Sequence, residues 1–176
     1  MQYLDRINFK GIKYISKRIE TFFKPSIQYY DYLTMKFPYC RAESQTLYLH
    51  FDNENINIEL CADEFGYIFE ANVLSAKKYS VIDDFEMHNI EIGIPYFEYG
   101  QAHFNSKVIN FESERVKMKI TSKDILIQFC DCDLEDNRWI GYDKMYYGIN
   151  SKNSLTSIIY KDRSYKELLS TNYQIL

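Results

Sequence analysis

The residues best suited to chemistry lie in Asp124–Trp139, "DILIQFCDCDLEDNRW", where two cysteines one residue apart sit among acids. Thiolates are nucleophiles and soft metal ligands, and clustered carboxylates bind hard cations or move protons. Each reading places a demand on spacing. Structural zinc takes two cysteines separated by two to four residues, with a matching second pair. Here Cys130 and Cys132 form C-x-C, while Cys40, Cys61, His50, His88 and His103 are scattered singly. A disulfide between residues i and i+2 is strained. An EF-hand loop could take Asp131, Asp133 and Glu135, but Asp136 stands where its glycine must be. The spacing therefore predicts no metal and no cofactor, with the two cysteines as core filler at a strand end.

Nucleophilic catalysis has no local signature: G-x-S-x-G, C-x-x-C and H-E-x-x-H are all absent. "EFGYIFE" and "YFEYGQAHF" hold single glycines, which do not make a phosphate cradle. A Ser/His or Cys/His pair meets in space rather than in sequence. A small enzyme or ligand-binding domain with an aromatic-lined pocket thus stays open as the alternative function.

The acids carry a different reading. Asp131, Asp133, Glu135 and Asp136 precede Trp139 and Tyr142, with Tyr146 and Tyr147 close behind, and Asp83, Asp84 and Glu86 form a second acidic group. They are either solvated loops or an acidic patch with aromatic anchors that docks a basic protein. The expected partner-binding residues are Asp131, Asp133, Glu135, Asp136, Trp139 and Tyr142, with no catalytic residue.

The elements that must position these groups follow from periodicity. From Gly11 to Lys24, Ile12, Ile15, Ile19, Phe22 and Phe23 recur at helical spacing, and Pro25 ends the run. Ser26 can cap a second helix through "IQYYDYLTMKF", closed before Pro38. After residue 44 the period becomes two. "TLYLHFDNENINIELCA" reads as a hairpin turning at Asp52–Asn55, "YIFEANVLS" as a third strand and "HNIEIGIPY" as a strand broken near Gly93 and Pro95. "ERVKMKI" and "DILIQFC" form a hairpin through "TSKD", "SLTSIIY" is a late strand, and "SYKELLS" closes as a helical turn. The expected fold is α+β: N-terminal amphipathic helices packed on a mainly antiparallel, meander-like sheet. A chain of 176 residues makes one domain, with a helical part over 1–43 and a β-rich body over 44–176.

Composition bounds the function. Apolar residues at 46% and charged residues at 26% describe a globular protein. The longest apolar run is far short of the roughly 18–20 residues a membrane span needs, and the N-terminus lacks the apolar core of a signal peptide. Reduced thiols in the cytoplasm are the expectation. The net charge of −4 hides an asymmetry. Residues 1–40 carry seven Lys/Arg against three acids, +4, which leaves −8 on the remainder. An acidic body disfavours nucleic acid, whose phosphates need clustered cations, and favours a basic protein partner.

In size, acidity, hairpins such as "TLYLHFDNENINIEL" and the acidic-aromatic stretch "DCDLEDNRWIGYDKMYY", the chain resembles the small acidic cytoplasmic immunity proteins that neutralise bacterial polymorphic or contact-dependent toxins. The resemblance spans the whole chain and implies a non-enzymatic inhibitor. Many such toxins are nuclease domains with basic clefts, which an acidic surface or an exposed strand edge can block.

Overall fold

Alternation of apolar and polar residues is the rule along most of the chain, and it builds strands. The computed structural model describes residues 7–15, 24–29, 32–37, 46–99, 108–112 and 115–161. Among these, fifteen strands and no helix form: β1 (Ile7–Lys13), β2 (Ser26–Tyr29), β3 (Leu33–Lys36), β4 (Leu47–Asp52), β5 (Ile56–Ala62), β6 (Ile68–Ala76), β7 (Ser80–Val81), β8 (Ile90–Ile92), β9 (Ile94–Tyr99), β10 (Val108–Glu112), β11 (Lys117–Ile120), β12 (Ile125–Gln128), β13 (Arg138–Tyr142), β14 (Met145–Ile149) and β15 (Leu155–Tyr160).

They make a six-stranded sheet in the order β10-β4-β5-β6-β3-β2, a seven-stranded sheet in the order β7-β11-β12-β15-β14-β13-β8, and a ribbon of β1 and β9. Both larger sheets are mixed, because β10, β7 and β8 join β4, β11 and β13 in parallel. In β4, Leu47, Leu49 and Phe51 turn inward while Tyr48 and His50 turn outward. The inward residues of both sheets form one core, in which Phe51 lies 4.7 Å from both Phe111 and Phe129. Each such buried side chain contributes about 1.5–3 kcal/mol. Tyr147 spans the core from β14, its hydroxyl donating to the Ile68 carbonyl of β6 at 2.7 Å.

The ribbon and the residue before β9 are bonded to both larger sheets. Phe97 N–H donates to Gly66 O (2.8 Å) after β5, Gly93 N–H to Gly141 O (2.9 Å) of β13, and Phe9 N–H to Asn153 O (2.7 Å) before β15.

The N-terminal helices are corrected, and the fold is all-β rather than α+β. Gly11–Lys13, the start of the first expected helix, is instead the end of β1, paired with Ile94–Tyr96. Residues 16–23 lie outside the described residues, as does "SYKELLS". A bulge interrupts β1 between Phe9 and Gly11. It stretches the inward spacing from two (Ile7, Phe9) to three (Phe9, Ile12). The expected helix rested on Ile12, Ile15, Ile19, Phe22 and Phe23, the last three of which lie outside the described residues. Gly11 also admits the Tyr96 ring, whose hydroxyl would lie 2.6 Å from a Cβ there. The second expected helix is the β2–β3 hairpin, in which Ser26 pairs with Lys36 instead of capping. Leu33, Met35 and Phe37 alternate inward, and β3 joins β6. The described N-terminal strands therefore belong to the same sheets as the rest. No helix among the described residues is long and apolar enough to cross a membrane.

Candidate functional site

The seven-stranded sheet is apolar on its outer face too. Leu126, Ile159 and Trp139 project there from β12, β15 and β13 and form a second buried cluster. Phe85, Met87, Leu134 and Tyr146 pack over it, partly exposed. Phe85 and Met87 belong to the segment after β7, and Leu134 to the loop before β13. Both segments turn their apolar residues in and their acids out: Asp83, Asp84, Glu86, Asp131, Asp133, Glu135 and Asp136 are all exposed. The two acidic groups, remote in sequence, thus share one face.

Local hydrogen bonds fix the loops. Asp84 accepts from Ser122 N–H at 3.0 Å and from its hydroxyl at 2.8–2.9 Å, which holds its carboxyl below the usual range. Asp131 pairs with Lys117 at 2.6 Å and is lowered chiefly by that bond. Asp133 Oδ1 accepts from Glu135 N–H at 3.0 Å in an Asx turn. Among the described residues, Lys117 is the one cation in an ion pair with either acidic group.

The six expected partner-binding residues do not form one surface. The four acids are exposed together, but Trp139 is 1% exposed and is the floor beneath them. Tyr142 is three residues further along β13, on the core side, with its ring 6.5 Å from Phe37. Tyr147 is buried in the core. Tyr146 alone of the four aromatics lies partly exposed on the acidic side. A strand separates residues of odd spacing onto opposite faces, and this parity decides the outcome.

Cys130 and Cys132 sit in a bend beyond β12, half-buried, rather than inside the core. Gln128 Nε2 donates to the Cys132 carbonyl at 2.8 Å and stands 3.8 Å from its sulfur. Thr156 Oγ1 is within hydrogen-bonding distance of Gly148 O (2.9 Å) and Asn137 Oδ1 (3.0 Å), and its single proton serves one of them. Gly148 leaves the room these groups need, because a Cβ there would meet Ser157 Oγ and Asn137 Nδ2. Among the described residues no group of three or more His, Cys, Asp and Glu is placed to hold a metal ion.

Sequence reasoning missed a polar ladder on the outer face of the six-stranded sheet. His50 Nε2 lies 2.6 Å from Glu59 Oε2, and Asn72 Nδ2 donates to Glu59 Oε1 at 3.2 Å and to Glu70 Oε1 at 2.9 Å. Thr34 Oγ1 donates to Asn72 Oδ1 at 2.8 Å, and Lys36 pairs with Glu70 at 3.4 Å. The alternation of β4 and β5 already put His50, Glu59 and Cys61 on one face, but their partners on β6 and β3 depend on cross-strand register. Burial and the nearby Glu70 and Glu59 carboxylates push the Cys61 thiol up, so it stays protonated and inert. The ladder fixes register and offers no activated nucleophile.

No protein-family model matches the chain, and no curated protein matches it in sequence.

Proposed function

We propose that this chain is a non-enzymatic binding protein, an inhibitor of the immunity-protein kind, that docks a basic protein on the outer face of the seven-stranded sheet. The observation that carries this reading is the convergence of two sequence-remote acidic segments over the Trp139 cluster. Seven exposed carboxylates lie along them, with Lys117 the one cation paired to any of them among the described residues. Such a field steers a basic partner and raises its association rate. Phe85, Met87, Leu134 and Tyr146 supply a partly exposed apolar floor between the acids. The occupant is a basic toxin domain with a nuclease-like cleft, met in the cytoplasm.

The test is cross-linking from a photoreactive residue at position 133 in cells, followed by surface plasmon resonance with the captured protein. The partner should be basic, and Asp133→Lys with Glu135→Lys should slow association by about tenfold at low salt, less at high salt. Association unchanged by the reversal, or capture of a small molecule's processing partner without salt-dependent binding, would remove the docking reading and favour the enzyme or ligand-binding alternative.

A further inference from the structure

The bend that holds Cys130 and Cys132 is tied down at both ends. Phe129 N–H donates to the Thr156 carbonyl at 2.8 Å, and Gln128 Nε2 donates to the Cys132 carbonyl at 2.8 Å. Between these anchors Cys130 and Cys132 lie two residues apart in one bend, and Gln128 Nε2 stands 3.8 Å from Cys132 Sγ. Gln128 is 4% exposed, and its Oε1 finds no hydrogen-bond partner among the described residues. A buried amide is therefore held against a sulfur with its acceptor unused, where structural amides are normally satisfied. Cys61 is buried at 4% exposed, whereas both bend cysteines are only half-buried.

We propose that Cys130 and Cys132 form a reversible dithiol–disulfide site oxidised by a small peroxide, with Cys132 as the attacking sulfur, Cys130 as the resolving thiol and Gln128 as a positioning residue. The Cys132 thiolate attacks one peroxide oxygen. An S–O bond forms, the O–O bond breaks, and the leaving alkoxide or hydroxide takes up a proton; sulfur is oxidised to the sulfenic acid by two electrons. Cys130 sulfur then attacks Cys132 sulfur. The S–S bond forms, the S–O bond breaks, and hydroxide leaves as water with the Cys130 proton. A dithiol reductant reverses the change by two thiol–disulfide exchanges. Strain in so short a loop keeps the bridge easy to reduce.

The electrostatics agree with these roles. The neighbouring Cys130 thiol, then the Gln128 amide, lower the Cys132 thiol, and Cys130 is pushed up in turn. Gln128 Nε2, an N–H donor 3.8 Å from Cys132 Sγ, favours the thiolate at that sulfur, so Cys132 attacks and Cys130 keeps its proton until the second step. The site does not depend on the docking reading.

The experiment treats the reduced full-length protein with hydrogen peroxide, alkylates it, cleaves after Lys and Arg, and weighs the peptides. Residues 124–138 leave as one peptide that contains both cysteines. It should lose two hydrogens, resist alkylation, and recover both thiols with dithiothreitol. The rate should fall as the pH is lowered from about 7 to about 5, following the thiolate fraction. In Cys130→Ser the reaction should stop at a sulfenic acid on Cys132 that dimedone captures, and Cys132→Ser should abolish the fast phase. Two alkylatable thiols remaining in that peptide, a rate flat with pH, or equal rates at Cys61 would overturn the proposal. If either variant misfolds, the wild-type peptide map and its pH profile decide alone.

Discussion

The rings of Phe85 and Trp139 lie 6.0 Å apart, tilted by 42°, and this contact fastens the acidic segment after β7 onto the outer face of the seven-stranded sheet. The acids are exposed because their apolar neighbours are not. Charge display and packing are therefore one feature of the chain, and a packing mutation should also disperse the charge.

Phe85→Ala should destabilise the protein by about 1–3 kcal/mol, less than a fully buried Phe would, because this ring is partly exposed. Trp139→Ala removes the floor itself and should cost about 3–5 kcal/mol. Denaturant melts measure both. Trp139 is the single tryptophan, so a red shift of its emission in Phe85→Ala reports the uncovering directly. Unshifted emission would place the cover elsewhere.

Most of the β-rich body was legible in the sequence, because its strands have one wet face and one dry face. β4 shows this alternation over its whole length, and β5, β6 and β11 show it in part, whereas β15 is buried on both faces. The N-terminal strands were not legible. Ile12 and Ile15 stand three apart, a helical spacing, although Ile12 lies in β1, and the paired face of β3 appears only once β6 lies beside it. In the candidate site, the exposure of Asp131, Asp133, Glu135 and Asp136 was legible. The burial of Trp139 was not, since part of its cover, Phe85 and Met87, comes from far away in sequence. Reading Trp139 and Tyr142 as one surface assumed a shared face, which a spacing of three denies in a strand.

Tyr147→Phe should cost about 1–2 kcal/mol, since it leaves the buried Ile68 carbonyl without the 2.7 Å hydroxyl bond that joins the two sheets. Burial pushes the Tyr147 phenol up, so alkaline titration should leave it un-ionised until the protein unfolds. A spectrophotometric titration that is reversible through every tyrosine would contradict this.

Asp84 and Asp131 both have lowered carboxyls, the first through Ser122 and the second through Lys117. A folded value below the unfolded one gives stability that is present above the unfolded value, about 3.9, and lost as pH falls through the folded value. Lys117→Met should return the Asp131 midpoint towards the ordinary range, and Ser122→Ala should do the same for Asp84. Carboxyl NMR titration of each variant reads the effect residue by residue. A midpoint indifferent to its partner's removal would assign the lowering to something else.

The polar ladder offers a test in which two wrongs partly cancel. Thr34 and Asn72 are each 2% exposed and face one another at 2.8 Å. Thr34→Val alone leaves Asn72 Oδ1 without that donor. Asn72→Leu alone strips the same partner from Thr34 and two donor bonds from Glu59 and Glu70. Each single change should cost about 1–3 kcal/mol, because an abandoned buried polar group pays its full desolvation. In the double variant neither end of the Thr34–Asn72 bond remains to be orphaned, so its loss should be smaller than the sum by about 1 kcal/mol. Glu59 and Glu70 keep His50 and Lys36, which limits the further damage. Equilibrium denaturation of the four proteins closes the cycle, and strict additivity would show that the bond does not couple β3 to β6.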